Sequence, residues 1–546
     1  MTTNILSISL AALSAAQAGI RTTQHNISNV NTPGFHRQTV NFSNSTPYYS
    51  GMVNIGNGVK VDGVANVYDR FLDNEVLLSQ SQLSRHEAYA TYAGQVDGLL
   101  GDSYTGLSAS MSNFFAAANE VANDPTGVAA RQMLLSAGTA LAARVNNQDA
   151  TLEAMQGGLD KEMTSITGQV NNLAQHVADL SRQIIVLEGS SGQTANDLRD
   201  MRDQVASEIN KLINVTRFTQ DDGTYGLYIG SGQPLVVGTT ANSLTMVTDP
   251  NDPQRQAPAL VINDIEIPLG TSLVSGGRLG GIMAFREEVL NPAQQDLARM
   301  AASFAMAFNA QHRAGYDQDG NVGADFFANP AATSNAGSNV FLTLDDDTPL
   351  QLGSYVVTFD GTDYSVAYSD GTPIASDTTL AGLNSAIADT LGFQINLDDP
   401  AYTAGAGDEW TFDLSDYPRQ MAVALDGVRE VAAAATAAGA PGDNGNALAL
   451  AALQTDLVMN GGSASFQTYY SQLSSRVASQ ANAADANLKA YEVMTQQATE
   501  ASQAVSGVNL DEEAANLIRF QQAYQAAAKA MQVSSTLFDE ILSVVR

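Results

Sequence analysis

Residues 509–545 read NLDEEAANLIRFQQAYQAAAKAMQVSSTLFDEILSVV, in which Leu510, Ala514, Leu517, Gln521, Tyr524, Ala528, Met531, Ser535, Phe538, Leu542 and Val545 follow one another at alternating spacings of four and three. This is the heptad seam of a long helix. Asn509 is placed to cap it, Glu512 stands three residues on as in a capping box, and Asp511, Glu512 and Glu513 put negative charge at the positive end of the helix dipole. A second apolar row, Phe520, Ala523, Ala527, Ala530, Leu537, Ile541 and Val544, runs beside the first. A single partner helix covers one seam, so a helix with two is expected to meet further helices, supplied by other copies of the chain or by its relatives. Ala and Ser at seam positions let helices approach closely but bury little area each, which leaves an isolated pair marginal.

The other end of the chain repeats the design. Leu6, Leu10, Leu13, Gln17, Ile20, Gln24 and Ile27 form a heptad seam with two polar layers. The expected assembly contacts are Leu6, Leu10, Leu13, Ile20 and Ile27 with Leu510, Leu517, Tyr524, Met531, Phe538, Leu542 and Val545. Packing within one chain is the alternative role for the same residues, and some are expected to do both.

Between the ends the composition changes twice. Residues 1 to about 215 are rich in Ala, Leu, Gln and Ser, the middle to about 415 in Gly, Asp, Thr and Val, and Ala-rich sequence then returns. The predicted order is helix, mostly strand, helix. In YVVTF-DG-TDYSVAY, Asp360-Gly361 is expected to supply the positive φ angles of a tight hairpin turn, and a further Asp-Gly follows at Asp370-Gly371. Residues 278–311 read as helix with a break at Pro292, so the middle holds two small domains separated by a helical segment. The fold class is multidomain α plus β: a discontinuous terminal coiled coil and helical bundle built from both chain ends, with strand-rich outer domains inserted. The expected division is 1–40 with 505–546 as terminal coiled coil, 41–215 with 416–504 as helical bundle, 216–277 and 316–415 as strand-rich domains, and 278–315 as the helical connection.

A chain of 546 residues exceeds one ordinary core. The 57 acidic residues against 25 basic ones give a formal charge of -32, which repels phosphate backbones and anionic lipid, so nucleic acid and membrane are not expected partners. Cysteine is absent, which excludes disulfides, thiolate metal sites and a cysteine nucleophile. The first twenty residues are apolar and small, but neither Lys nor Arg occurs before Arg21 and Ser and Gln interrupt them at helical spacing. A mature helix is expected there rather than a cleaved signal. No stretch reaches the ~20 apolar residues of a membrane span.

No catalytic, cofactor or metal site is expected. His25, His36, His86, His176 and His312 include no pair at helical metal-site spacing, and neither GxSxG nor a phosphate loop occurs. Asp317, Asp319 and Asn321 begin like a calcium loop, yet Gly320 falls at the fourth place and Ala328 takes the place of the closing Glu. Asp345 to Asp347 read as a solvated acidic turn, and Trp410 as strand core.

Residues 25–38, HNISNVNTPGFHRQ, are similar to the N-terminal signature of the flagellar rod, hook and hook-associated axial proteins: a helix ending in Asn, then an Asn-Thr-Pro-Gly-aromatic turn. Asn31, Thr32, Pro33, Gly34 and Phe35 carry that turn, in which Pro33 stops the helix and Gly34 permits the reversal. Arg37-Gln38 resembles the hook-associated members, which usually have Ser where this chain has His36. Residues 113–135 (NFFAAANEVANDPTGVAARQMLL), 308–327 (FNAQHRAGYDQDGNVGADFF) and 507–531 (GVNLDEEAANLIRFQQAYQAAAKAM) fit the same members, while the strand-rich stretches carry no resemblance. The resemblance implies a non-enzymatic structural subunit, exported without a cleaved signal by the flagellar type III system. It implies a place at the hook tip, extracellular, as adaptor between hook and filament. The partners it implies are copies of the chain in a ring, the hook protein, a second junction protein, an export chaperone and the export apparatus. The alternatives are another axial subunit, such as the hook protein or the second junction protein, or an acidic coiled-coil adhesin.

Overall fold

The computed structural model describes residues 2–46, 48–50, 53–101, 106–220, 223–230, 232–249, 252–345, 347–399 and 401–545. Helix α1, Thr2–Ser28, is followed by strands β1 (Gln38–Asn44), β2 (Tyr48–Ser50), β3 (Val53–Ile55) and β4 (Val59–Asn66). Strand β1 pairs antiparallel with β4 and β2 with β3. Helix was expected through this stretch. The alternation of Val40, Phe42, Val59, Val61 with polar residues makes strands instead, and β1 and β4 both lie against α1.

Four helices come next: α2 (Arg70–Leu100), α3 (Leu107–Asn123), α4 (Val128–Ser191) and α5 (Asn196–Leu212). Helix α4 runs for 64 residues. Strands β5 (Val215–Thr219), β6 (Tyr225–Ile229), β7 (Gln233–Val237) and β8 (Thr240–Ala241) form a four-stranded sheet in sequence order. Strands β9 (Ser243–Asp249), β10 (Asp252–Ile262) and β11 (Ile265–Pro268) form a meander. The β10–β11 turn is Asn263-Asp264, with φ of 49° and 64°, the two positive angles a two-residue hairpin requires.

The helical connection does not break at Pro292. Helix α6 (Gly277–Phe285) passes through a π turn at Arg286–Leu290 directly into α7 (Asn291–Arg313), with Pro292 in the first turn of α7. Proline has no N–H to donate to the carbonyl four residues back, and Gln480 Nε2 donates to that Glu288 carbonyl at 3.0 Å.

The second strand-rich part comprises β12 (Ala331–Ser334), β13 (Val340–Leu344), β14 (Ser354–Phe359), β15 (Tyr364–Tyr368), β16 (Pro373–Asp377), helix α8 (Leu380–Leu391), β17 (Phe393–Leu397) and β18 (Asp408–Asp413). Five strands join in the order β12-β18-β14-β15-β16, and β13 pairs with β17. Phe359 pairs with Tyr364, so the Asp360-Gly361 hairpin has a four-residue loop. Gly361 alone takes positive φ, at 100°, because Asp360 Oδ1 accepts the N–H groups of Thr362 and Asp363 and closes the loop through its side chain. Gly371 likewise has φ of 88°. Trp410 is buried as expected and donates Nε1–H to the Ser338 carbonyl at 2.8 Å. Of the acidic stretch at 345–347, Asp346 lies outside the described residues. Helices α9 (Tyr417–Gln420), α10 (Gly445–Ala452), α11 (Phe466–Ser506) and α12 (Leu510–Val545) complete the chain.

The fold class is therefore α plus β, with helical ends and small antiparallel sheets in the middle. Contacts divide the chain into two units, one of Met1–Tyr89, Asp160–Met283 and Asp485–Arg546, the other of Ala90–Leu159 and Ala284–Ala484. The first is centred on Met163, Ile166, Val170 and Val177 of α4 with Ile209 of α5 and Leu227 and Ile229 of β6, all buried. In the second, Phe114 of α3 meets Phe308 of α7 with ring centroids 4.9 Å apart, and Phe326 meets Phe308 at 5.0 Å. Such a contiguous aromatic cluster is a stability centre. Phe308→Ala is expected to cost about 3–5 kcal/mol, seen as a lower denaturation midpoint followed by the fluorescence of Trp410, the only tryptophan.

Candidate assembly interface

Helix α1 lies antiparallel against α12. Asn26 Nδ2 reaches Glu513 Oε2 at 3.1 Å, and one heptad back along α1 Gly19 faces Phe520, one heptad on along α12. A Cβ at Gly19 would stand 2.6 Å from the Phe520 ring, so the pair approaches at a distance only glycine allows. The buried line on α1 is Ser9, Ala16, Gly19, Thr23 and Asn26, and the covered line on α12 runs through Glu513, Leu517, Phe520, Tyr524, Ala527, Met531 and Ser534. Small residues on one helix receive larger ones from the other.

That geometry redistributes the residues expected at the seam. Leu517, Tyr524 and Met531 lie half-buried on the line facing α1, and Leu13, Ile20 and Ile27 are half-buried on the flank of α1. Leu6, Leu10 and Leu510 are exposed, Leu10 by 57%. The side chains of Phe538, Leu542 and Val545 lie outside the described residues. The line on α12 falls between its two apolar rows and takes members from both. Ile518, 56% exposed, with Val533 and Leu537, then points away from α1.

The turn of residues 31–35 leads from α1 to Arg37, which reaches the other end of the chain. Thr32 donates its N–H to the Asn29 carbonyl at 2.9 Å and its hydroxyl to Asn29 Oδ1 at 3.1 Å, and Phe35 N–H reaches the Thr32 carbonyl at 3.2 Å. Gly34 has φ of 76°, and a Cβ there would meet Gln204 Oε1 at 2.6 Å. Asn31, Thr32 and Pro33 are exposed, while the Phe35 ring sits edge-on to His25 at 5.4 Å. Beyond the turn, Arg37 N–H donates to the Ser506 carbonyl at 2.9 Å and its guanidinium to Glu512 at 2.8 Å. Asn26 exchanges two hydrogen bonds with the Gln38 backbone, both 2.9 Å. Buried Asn26 therefore links α1, β1 and the start of α12, and supplies the partner that the buried Glu513 carboxylate needs. Asn509 caps α12 as expected, accepting from Asp511 N–H at 2.9 Å.

Gly19 and Asn26 escaped the sequence reading, which took Glu513 only as helix-dipole charge and Gln38 only as part of the turn motif. The signal for Gly19 and Asn26 was a row of small and polar residues at spacings of three and four beside the Leu row on α1, which a search for large apolar residues passes over.

His312 and the acids of the calcium-like loop have structural partners. His312 is fully buried between the Ala324 carbonyl, 2.6 Å from Nδ1, and the Ala432 N–H, 2.9 Å from Nε2. Burial lowers its pKa to about 4, so it stays neutral. Asp317 Oδ1 accepts the N–H groups of Asp319 and Asn321, and Asp319 pairs with Arg429. Among the described residues no group of three or more His, Asp or Glu side chains could hold a metal ion, and no helix is long and apolar enough to cross a membrane.

The whole sequence is 35% identical to flagellar hook-associated protein 1 of Salmonella typhimurium strain LT2, in an alignment covering 99% of this chain and 100% of the relative. The chain belongs to the flagellar hook-associated protein 1 family. The family's member from Escherichia coli K12 is 32% identical over 99% of this chain and 100% of its own length. Residues 93–327 match the family described as flagellar hook-associated protein FlgK helical domain, and residues 495–544 the flagellar basal body rod FlgEFG protein C-terminal family. The solved structure of the flagellar hook junction protein FlgK from Burkholderia pseudomallei shares the fold, with a TM-score of 0.63 and 22% identity over 79% of this chain and all of that one. This family is a structural component of the flagellum and not an enzyme.

Gly19→Ala is expected to loosen the α1–α12 pair, giving faster hydrogen exchange along both helices. Phe520→Ala in the same chain, by removing the ring that a Cβ meets, should restore much of the lost protection.

Proposed function

We propose that the chain is exported by the flagellar type III system and adds to the hook tip as the adaptor between hook and filament. The observation that carries this reading is the apolar surface that the terminal helices leave uncovered after pairing with each other: Leu6 and Leu10 on α1, and Leu510, Ile518, Val533 and Leu537 on α12. Each such side chain gains about 1.5–3 kcal/mol when fully buried. Neighbouring terminal helices are the surfaces that fit, since α1 and α12 already pack by the same heptad spacing. Charge favours a heterologous contact between copies, because no Asp or Glu precedes Asp62, whereas α12 carries Asp511, Glu512, Glu513, Asp539 and Glu540 against Arg519 and Lys529.

Copies in a ring would bury the terminal faces, with the hook protein below and a second junction protein above as the next partners. An export chaperone near α12 would cover the same apolar face before assembly. The match of residues 495–544 to a rod-protein family supports a terminal helix of shared axial design.

Deleting the gene in the source bacterium should leave hooks without filaments and flagellin in the medium. Complementation with Leu10→Asp and Ile518→Asp together should fail to restore filaments, although the purified variant keeps its native melting behaviour. Normal filaments in either strain would contradict the proposal.

A further inference from the structure

His36 closes the turn that leads out of α1, and its ring and backbone hold one carboxylate. Nδ1 lies 2.9 Å from Asp200 Oδ1, and the His36 N–H donates to Oδ2 at 3.2 Å. Asn66 Nδ2, at the end of β4, donates to the same Oδ1 at 2.7 Å. The side chains of His36 and Asp200 are only 14% and 9% exposed, and Tyr68 meets the imidazole edge-on with ring centroids 6.0 Å apart.

The surrounding charges are partnered among themselves. Arg217 of β5 binds Asp73 of α2 and lies 3.4 Å from Asp203 of α5. Tyr225 of β6 donates to Asp203, Arg202 of α5 stacks 3.5 Å over the Tyr225 ring, and Arg199 binds Glu188 at 2.8 Å. Arg37, next along the turn, binds Glu512 of α12. Among the described ion pairs, His36 is the one cation given to Asp200. His36 also lines both a groove of about 860 Å³, which Lys211 borders from α5, and a pocket of about 150 Å³, so solvent can bring protons to the ring without unfolding.

We propose that His36 and Asp200 form a proton-dependent latch fastening the exit turn of α1 to α5, tight when the imidazole is charged and weakened when it is neutral. Burial alone works against the charged ring, but the hydrogen bond and charge of Asp200, with Asp73 and Asp203 nearby, outweigh it and raise the pKa above 6.5. The sign follows from that direction. Stabilisation is fully present below the unfolded value of about 6.5 and is lost as pH rises through the higher folded value. The turn is thus held more firmly in mildly acidic medium than in alkaline medium.

The test uses the full chain, with histidine NMR to follow the His36 ring and hydrogen exchange, corrected for intrinsic rate, to follow residues 31–38 from pH 5.5 to 8.5. The expected result is a His36 pKa above 6.5 and a several-fold loss of protection at the turn across that titration. His36→Gln should abolish the step, and Asp200→Asn should lower the His36 pKa, because the hydrogen bond and charge that raise it are lost. His25→Gln serves as control, since His25 contacts Phe35 and Asp197, and should leave the step in place. A His36 that titrates at or below 6.5, or a step that survives in His36→Gln, would overturn the latch. If Asp200→Asn does not fold, the His36→Gln comparison decides alone.

Discussion

The contact of Gly19 with Phe520 sets the spacing on which the arrangement of the chain ends depends. Because a Cβ would stand 2.6 Å from the ring, α1 can lie against α12 only with its small face inward. Ser9, Ala16, Thr23 and Asn26 follow Gly19 into that face, and Leu6 and Leu10 are carried outward. Close packing within the chain and apolar exposure outside it are two results of one rotation of α1. A helix turned to bury its leucines would pair more strongly alone and offer less to a neighbour.

The exit from α1 makes this pairing long-range in sequence. Asn26 bonds to Gln38 and to Glu513, and Arg37 bonds to Ser506 and Glu512, so residues nearly a chain length apart share one polar knot. A buried carboxylate is costly without donors, and Glu513 receives one from Asn26. The identity of the turn residues therefore bears on both ends at once. His36 extends the same turn to α5, a connection that Ser, with its short neutral side chain, could not make as an ion pair.

Much of this was legible in the sequence because helices and turns announce themselves locally. The Asn509 cap, the long helical ends with strands between them, and the turn at Pro33-Gly34 all depend on residues a few positions apart. What was not legible depended on partners far along the chain. Which of two rows on α12 faces α1 is decided by Gly19, and the line chosen falls between them. Strands β1 and β4 were missed because their short alternation sits inside helix-rich composition. Pro292 does not break its helix: it stands in the first turn of α7 directly after a π turn, and Gln480, almost two hundred residues away, donates to the Glu288 carbonyl. Asp360 looked like the first residue of a two-residue turn, but its side chain closed a longer loop.

The absence of cysteine permits a direct test of whether the outward faces meet between copies. Cysteines placed at Leu10 and Ile518 can be oxidised in assembled flagella and the products separated under denaturing, non-reducing conditions. Contact between neighbouring terminal helices predicts a ladder of linked copies that collapses to one band on reduction. A single unlinked or internally linked species, in flagella that carry normal filaments, would contradict assembly through these faces.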